Sequence, residues 1–230
     1  MLRSRLLDAL AVVLPLDCPA CGGATTRAPC SECALALARL PMPPPRLIGP
    51  ADRPLAVHAG VPFEGTARRL VVALKEEGRT DAARPLAVRL RPALALALDG
   101  RPGLLVAPPG SHGRRVKRGY DPVDLLVRAC GGRAAHPVHR VRRSVDQVGL
   151  DRIERRGNLD GAFRAGRSLL GEEVVLVDDV VTSGATLLEI RRAVEAAGGT
   201  VRAAAALAAT PLRSRIRSAD DSRRLRGAVG

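Results

Sequence analysis

Aromatic residues are almost missing from this chain. Phe63, Tyr120 and Phe163 are the only three in 230 residues, and tryptophan is absent. A groove that binds single strands by stacking bases on aromatic rings is therefore not expected. With 46% apolar residues, nearly all Ala, Val and Leu, the core has to be aliphatic. Lysine is equally scarce, with only Lys75 and Lys117, so the formal charge of +14 comes almost wholly from arginine. A basic excess of this size raises affinity for phosphate-rich partners such as nucleic acid. Arginine in place of lysine also fits coding from a GC-rich genome, and composition alone does not separate the two readings. Nor is there any run near the roughly 18 apolar residues of a membrane span. The opening MLRSRLLDALAVVLPLDC is interrupted by Asp8, lacks a small-residue cleavage site, and has Asp17 where a lipoprotein signal needs a small residue before its cysteine. It reads as an amphipathic helix of a cytoplasmic protein.

Four of the five cysteines, Cys18, Cys21, Cys30 and Cys33, form a C-x2-C-x8-C-x2-C pattern. Each C-x2-C pair places two thiolates on one side of a tetrahedral ion, Gly22 and Gly23 supply the turn, and four sulfurs leave no position for chemistry. The expectation is structural zinc. Two disulfides would need an oxidising compartment that the N-terminus does not support. Cys130 reads as a small buried hydrophobe.

Residues 1–40 are thus assigned to a leading helix and zinc motif. Six prolines between Pro41 and Pro54 favour extended chain and exclude helix, so residues 41–54 read as a linker. Residues 55–211 alternate strand-like and helix-like stretches. LAVHAGVPF reads as an extended strand pair, TARRLVVALKEEG as a helix with Thr66 as its cap, and RPLAVRLRPALALAL as a helix broken or entered at Pro92. GLLVAPP, EEVVLVDD and VRAAAALAA read as strands, with helices in DPVDLLVRACGG and GATLLEIRRAVEAAGG. This alternation predicts an α/β fold with a doubly wound, mostly parallel sheet. Residues 212–230 are polar, charged and without apolar period, and read as a disordered basic tail.

Ligands of open parallel sheets bind where strands end and helices begin. Asp178 and Asp179 stand at such an end, followed by Val180, Val181, Thr182, Ser183, Gly184, Ala185 and Thr186. The loop offers backbone N–H groups, three hydroxyls and a glycine for close approach, at a helix start whose dipole favours an anion. It carries neither the G-x4-G-K-[ST] nor the G-x-G-x-x-G pattern. Two carboxylates beside a phosphate cradle suit the 2′- and 3′-hydroxyls of a ribose whose 5′-phosphate sits in the loop, and they can help to hold a divalent cation.

VVLVDDVVTSGAT resembles the phosphoribosyl pyrophosphate signature of type I phosphoribosyltransferases: an apolar strand, two acids, then T-[TS]-G-x-T. The order VALKEEG, LLVAPPGSHGRRVKRGYDPVDLL, RRSVDQVGLDRIERRGNLDGAF and then the signature resembles the ComF family of competence-related proteins. That family also begins with a leucine-rich helix and a four-cysteine zinc motif, so the likeness covers about residues 5 to 210. It implies a magnesium-dependent phosphoribosyltransferase with Asp178 and Asp179 as its catalytic pair. Binding of phosphoribosyl pyrophosphate or a related phosphoribosyl ligand falls to the 180–186 loop, to Pro109, Gly110 and Ser111 after the preceding strand, and to Lys75 and Arg118. Arg114, Arg115, Lys117, Arg152, Arg155 and Arg156 are further cations near these segments. The family pattern V-P-V-P reads Val106-Ala107-Pro108-Pro109 here, and R-G-[FY]-N-Q reads Arg118-Gly119-Tyr120-Asp121-Pro122, so an Asn and a Gln are replaced. The alternative implied by the family is a non-catalytic protein of DNA uptake, with nucleic acid or DNA-uptake proteins as partners. His136 and His139 read as incidental.

Overall fold

The computed structural model describes residues 16–109, 119–141 and 161–211. The leading helix, Gly110, Ser111, Arg114, Arg115, Lys117, Arg118, the three arginines at 152, 155 and 156, and the tail all lie outside the described residues. Two short strands, β1 (Leu16–Asp17) and β2 (Ala24–Thr25), pair antiparallel around the first C-x2-C turn, and α1 (Ser31–Arg39) starts at the second. The main sheet has five strands: β3 (Arg46–Ile48), β4 (Leu55–Pro62), β5 (Leu104–Val106), β8 (Glu173–Val181) and β9 (Thr200–Ala209). Their spatial order is β3-β4-β9-β8-β5, and every pairing is parallel except the antiparallel β3–β4 edge. The helices are α2 (Gly65–Glu76), α3 (Ala83–Leu98), α4 (Pro122–Ala129) and α5 (Ala185–Glu195), and β6 (Val138–Arg140) pairs antiparallel with β7 (Phe163–Ala165) in a small two-stranded sheet.

Strand alternation divides the core cleanly between the two faces. Val175, Val177, Ala203, Ala205 and Leu207 pack against α2, α3 and α4, whereas Val174, Leu176, Ala204 and Ala206 pack against α5 and Phe163 of β7. Both faces are covered, which is why VVLV and AAAALAA read as unbroken apolar runs. The alanine-rich β9 sits in the middle of the sheet, where its short side chains admit helices closely on both sides.

Several local features differ from the sequence expectations. LAVHAGVPF is one strand rather than a pair, because its antiparallel partner, β3, comes from within the proline-rich stretch. Helix α2 is capped at Glu64, and Thr66 lies buried inside it, accepting a hydrogen bond from Arg69. Helix α3 runs unbroken through Pro92. It lies so close to β4 that a Cβ on Gly60 would stand 2.0 Å from the Arg89 carbonyl oxygen, so only glycine fits there.

The cysteine segment also packs differently from an independent module. Cys18, Ala20, Cys33 and Leu37 are buried in the same cluster as Leu70, Val71, Leu74, Leu86 and Leu90. Arg89 fastens the end of α1, donating to the Ala38 and Leu40 carbonyls as well as to Gly60.

Candidate functional site

The apolar half of β8 drives the strand into the middle of the sheet, and its polar half carries the two acids past the core. The strand does not stop at the acids. Asp178 still pairs with Ala206, and Val180 and Val181 with Ala208 and Ala209, so the loop begins at Thr182. Val181 is accordingly buried in the strand. Adjacent strand residues point to opposite faces, and the two carboxylates diverge. Asp178 lines the small pocket enclosed by residues 180–187. Asp179 turns toward α2, where Lys75 Nζ donates to its Oδ1 at 2.9 Å. Lys75 is held in place by its neighbour: the Tyr120 hydroxyl donates to the Leu74 carbonyl in the last turn of α2.

Asp178 Oδ1 accepts from the Asp179 backbone N–H at 2.8 Å. Burial, and then the charge of Asp179, push the Asp178 carboxyl from 3.8 up to about 8, against the pull of that N–H and of Lys75. Asp178 therefore holds its proton more tightly than an ordinary carboxyl, while Asp179 is paired with Lys75.

The loop itself ends in an uncapped helix. Gly184 is the N-cap residue of α5 and has no side chain to accept from the first-turn N–H groups. Its glycine is required by φ of +80° and by Ile48, whose Cδ1 would lie 2.5 Å from an added Cβ. Gly184 thus also lets β3 come close to the loop. Ser183 Oγ accepts from the Ala185 N–H at 3.4 Å.

Asp121 and Pro122, which replace the family's Asn and Gln, start a helix. The Asp121 carboxylate accepts from the Val123 and Asp124 N–H groups, and Pro122 occupies the first helical position, where its missing N–H costs nothing. Asn and Asp cap equally well, so the exchange preserves the local backbone. Pro109 follows β5 on the neighbouring strand end. His136, read as incidental, places Nε2 2.7 Å from Asp124 Oδ1. Sequence reasoning also passed over Arg46, which reaches the cradle from the far edge strand and donates to the Thr182 carbonyl at 2.6 Å. No spacing signal links residues 136 positions apart.

At the other end, the four Sγ atoms of Cys18, Cys21, Cys30 and Cys33 all lie within 4.8 Å of one another, and none is in a disulfide. Cys21 and Cys30 are 3.8 Å apart, the edge of about 3.8 Å expected of a tetrahedron with 2.3 Å metal–sulfur bonds. The Cys18 thiol is held down at about 6: burial opposes ionisation, but the N–H groups of Cys30, Cys21 and Ala20 outweigh it. Burial raises Cys33, and its sulfur neighbours raise it further. A cluster with one thiol already acidic is suited to shedding protons to a soft cation.

The strand, loop and helix described above define the class. A family profile described as "Phosphoribosyl transferase domain" matches residues 137–224, which include both acids and the loop. The chain is 32% identical to the "DNA utilization protein YhgH" of Salmonella typhimurium over 188 residues, 75% of each chain. It is 36% identical to the "Competence protein F" of Haemophilus influenzae over 99 residues, 40% of this chain and 43% of that one. The chain belongs to this ComF family of phosphoribosyltransferase-like, competence-related proteins. Among solved structures, adenine phosphoribosyltransferase from Rhodothermus marinus is similar at 16% identity, covering 77% of this chain and 86% of that one, with a TM-score of 0.35. Among the described residues no helix is long and apolar enough to cross a membrane.

Proposed function

We propose that this chain binds phosphoribosyl pyrophosphate with magnesium and transfers the phosphoribosyl group to an acceptor whose identity the site does not reveal. The observation that carries the reading is the acid pair at the end of a central strand beside an uncapped helix start. In this reading the N–H groups of residues 183–186 and the hydroxyls of Thr182, Ser183 and Thr186 hold the 5′-phosphate. Asp178 and Asp179 take the ribose hydroxyls from either side of the strand end. Lys75, already on Asp179, orients that carboxylate, and Tyr120 fixes Lys75 through Leu74. Magnesium would supply charge neutralisation for the departing pyrophosphate, with Asp178 and Asp179 as the described acids able to help hold it. Calorimetric titration with phosphoribosyl pyrophosphate, with and without magnesium, tests the reading. Absence of binding in both would overturn it.

We infer further that the cysteine cluster holds one structural zinc ion, because the sulfur spacing and the free thiols fit four-coordinate geometry. A second reading, nucleic-acid handling without catalysis, is supported by a polar cleft of about 700 Å³ between that cluster and α2, lined by Arg68, Arg69 and Arg79, the last paired with Asp81, beside Asp17 and Glu77. The names borne by the relatives point the same way.

A further inference from the structure

Arg46 belongs to neither half of the site as read from the sequence. It sits in the proline-rich stretch, yet one guanidinium nitrogen donates to the Thr182 carbonyl at 2.6 Å and another to the Thr210 carbonyl just beyond β9. The rest of its segment lies along the cradle in the same way. Ile48 fills the space beside Gly184, and a Cβ on Gly49 would stand 2.8 Å from Leu188. Arg191 of α5 donates to the Arg53 carbonyl, and Arg53 pairs with Glu195. Segment 46–53 therefore backs the loop and its helix over their whole length.

The direction of these bonds has a consequence at the peptide linking Thr182 to Ser183. A trans peptide is planar, and its C=O and N–H point opposite ways. With the Thr182 oxygen pulled toward β3, the Ser183 N–H is turned away from β3. Released from Arg46, that peptide could rotate and present its oxygen, a negative dipole end, to an arriving anion. Two carbonyls on one planar fork leave the guanidinium little freedom to let go.

We propose that Arg46 is a positioning residue for the phosphate cradle, holding the Ser183 N–H toward the anion before any ligand arrives. The proposal rests on the phosphoribosyl reading for the identity of that anion. Its test uses the full chain and ribose 5-phosphate as probe. Arg46→Ala should lower affinity for ribose 5-phosphate by about tenfold, the range for losing one charged hydrogen-bonding partner. Arg46→Lys, which keeps the charge but reaches one carbonyl, should fall between. Ethylguanidinium added to Arg46→Ala should restore binding, which it could not do if the substitution merely loosened the edge strand. Leu47→Ala, at an exposed position of the same strand, should bind as wild type. Unchanged affinity in Arg46→Ala, or loss without guanidinium rescue, overturns the proposal. If wild type itself binds no ribose 5-phosphate, the phosphoribosyl reading fails. The brace is then judged in ligand-free protein by the Ser183 amide resonance, which should move in Arg46→Ala and return with ethylguanidinium; an unmoved resonance overturns it.

Discussion

Asp178 and Asp179 are neighbours in sequence but not in environment. Asp179 is paired with Lys75, whereas Asp178 lines the pocket of the loop and its carboxyl is pushed up to about 8. A carboxyl whose pKa rises on folding binds more protons in the folded state, so folding loses stability as pH rises between the two values. The ligand-free protein should therefore weaken from about pH 4 to about pH 8, and Asp178→Asn should flatten that slope. Melting temperatures of the two proteins across this range should diverge upward in pH, with Asn the more stable at pH 8; parallel curves would contradict the protonated assignment. The double change Asp178→Asn, Asp179→Asn keeps shape but removes the ability of either acid to accept as a carboxylate, worth about 1.5–3 kcal/mol for each that is ionised in the complex. Affinity for phosphoribosyl pyrophosphate should fall by roughly one to four decades at 1.4 kcal/mol per tenfold, as read by calorimetry, while the circular dichroism spectrum is kept.

At the scale of elements, helix starts explain two departures that sequence alone could only register. Asp121 caps α4 and Pro122 occupies its first position. Asp121→Asn should leave thermal stability nearly unchanged, whereas Asp121→Ala should cost about 0.5–2 kcal/mol in denaturant melts, the usual value of a lost cap. Equal losses in both would mean that the carboxylate charge, not the cap, matters. The start of α5 has the opposite design, with no capping side chain. Gly184→Val should strain the loop at φ of +80° and push Ile48 aside. Lowered melting temperature together with weaker ribose 5-phosphate binding is the expected outcome, because the same residue joins the cradle to β3.

On the scale of the whole molecule, the cysteine segment shares its core with α2 and α3. One zinc ion per chain is expected by elemental analysis of purified protein, given binding energies on the order of 10–16 kcal/mol for such sites; two disulfides by mass spectrometry and no zinc would end that reading. Chelation should lower the melting temperature of the entire chain rather than of a small fragment. A linker at residues 41–54 would make removal of residues 1–40 harmless to the rest of the chain. The buried Leu37 alone, however, covers apolar surface worth about 1.5–3 kcal/mol. The truncated chain should melt at lower temperature and expose an apolar face to hydrophobic dye.

The sequence by itself determined the class of fold and the position of the acid pair with its loop, because both are local. Strand and helix alternation is a periodicity, and the thirteen residues from Val174 to Thr186 carry acids, hydroxyls and glycine in one continuous piece. The cysteine spacing is local in the same sense. What only the tertiary structure decided depends on residues far apart in the chain. It set β9 at the centre of the sheet, parted the two acids to opposite sides of β8, brought Lys75 to one of them, and carried Arg46 across 136 positions to the loop. Those pairings follow from which faces must be covered when the sheet closes its core, and no pattern within a short window encodes that choice.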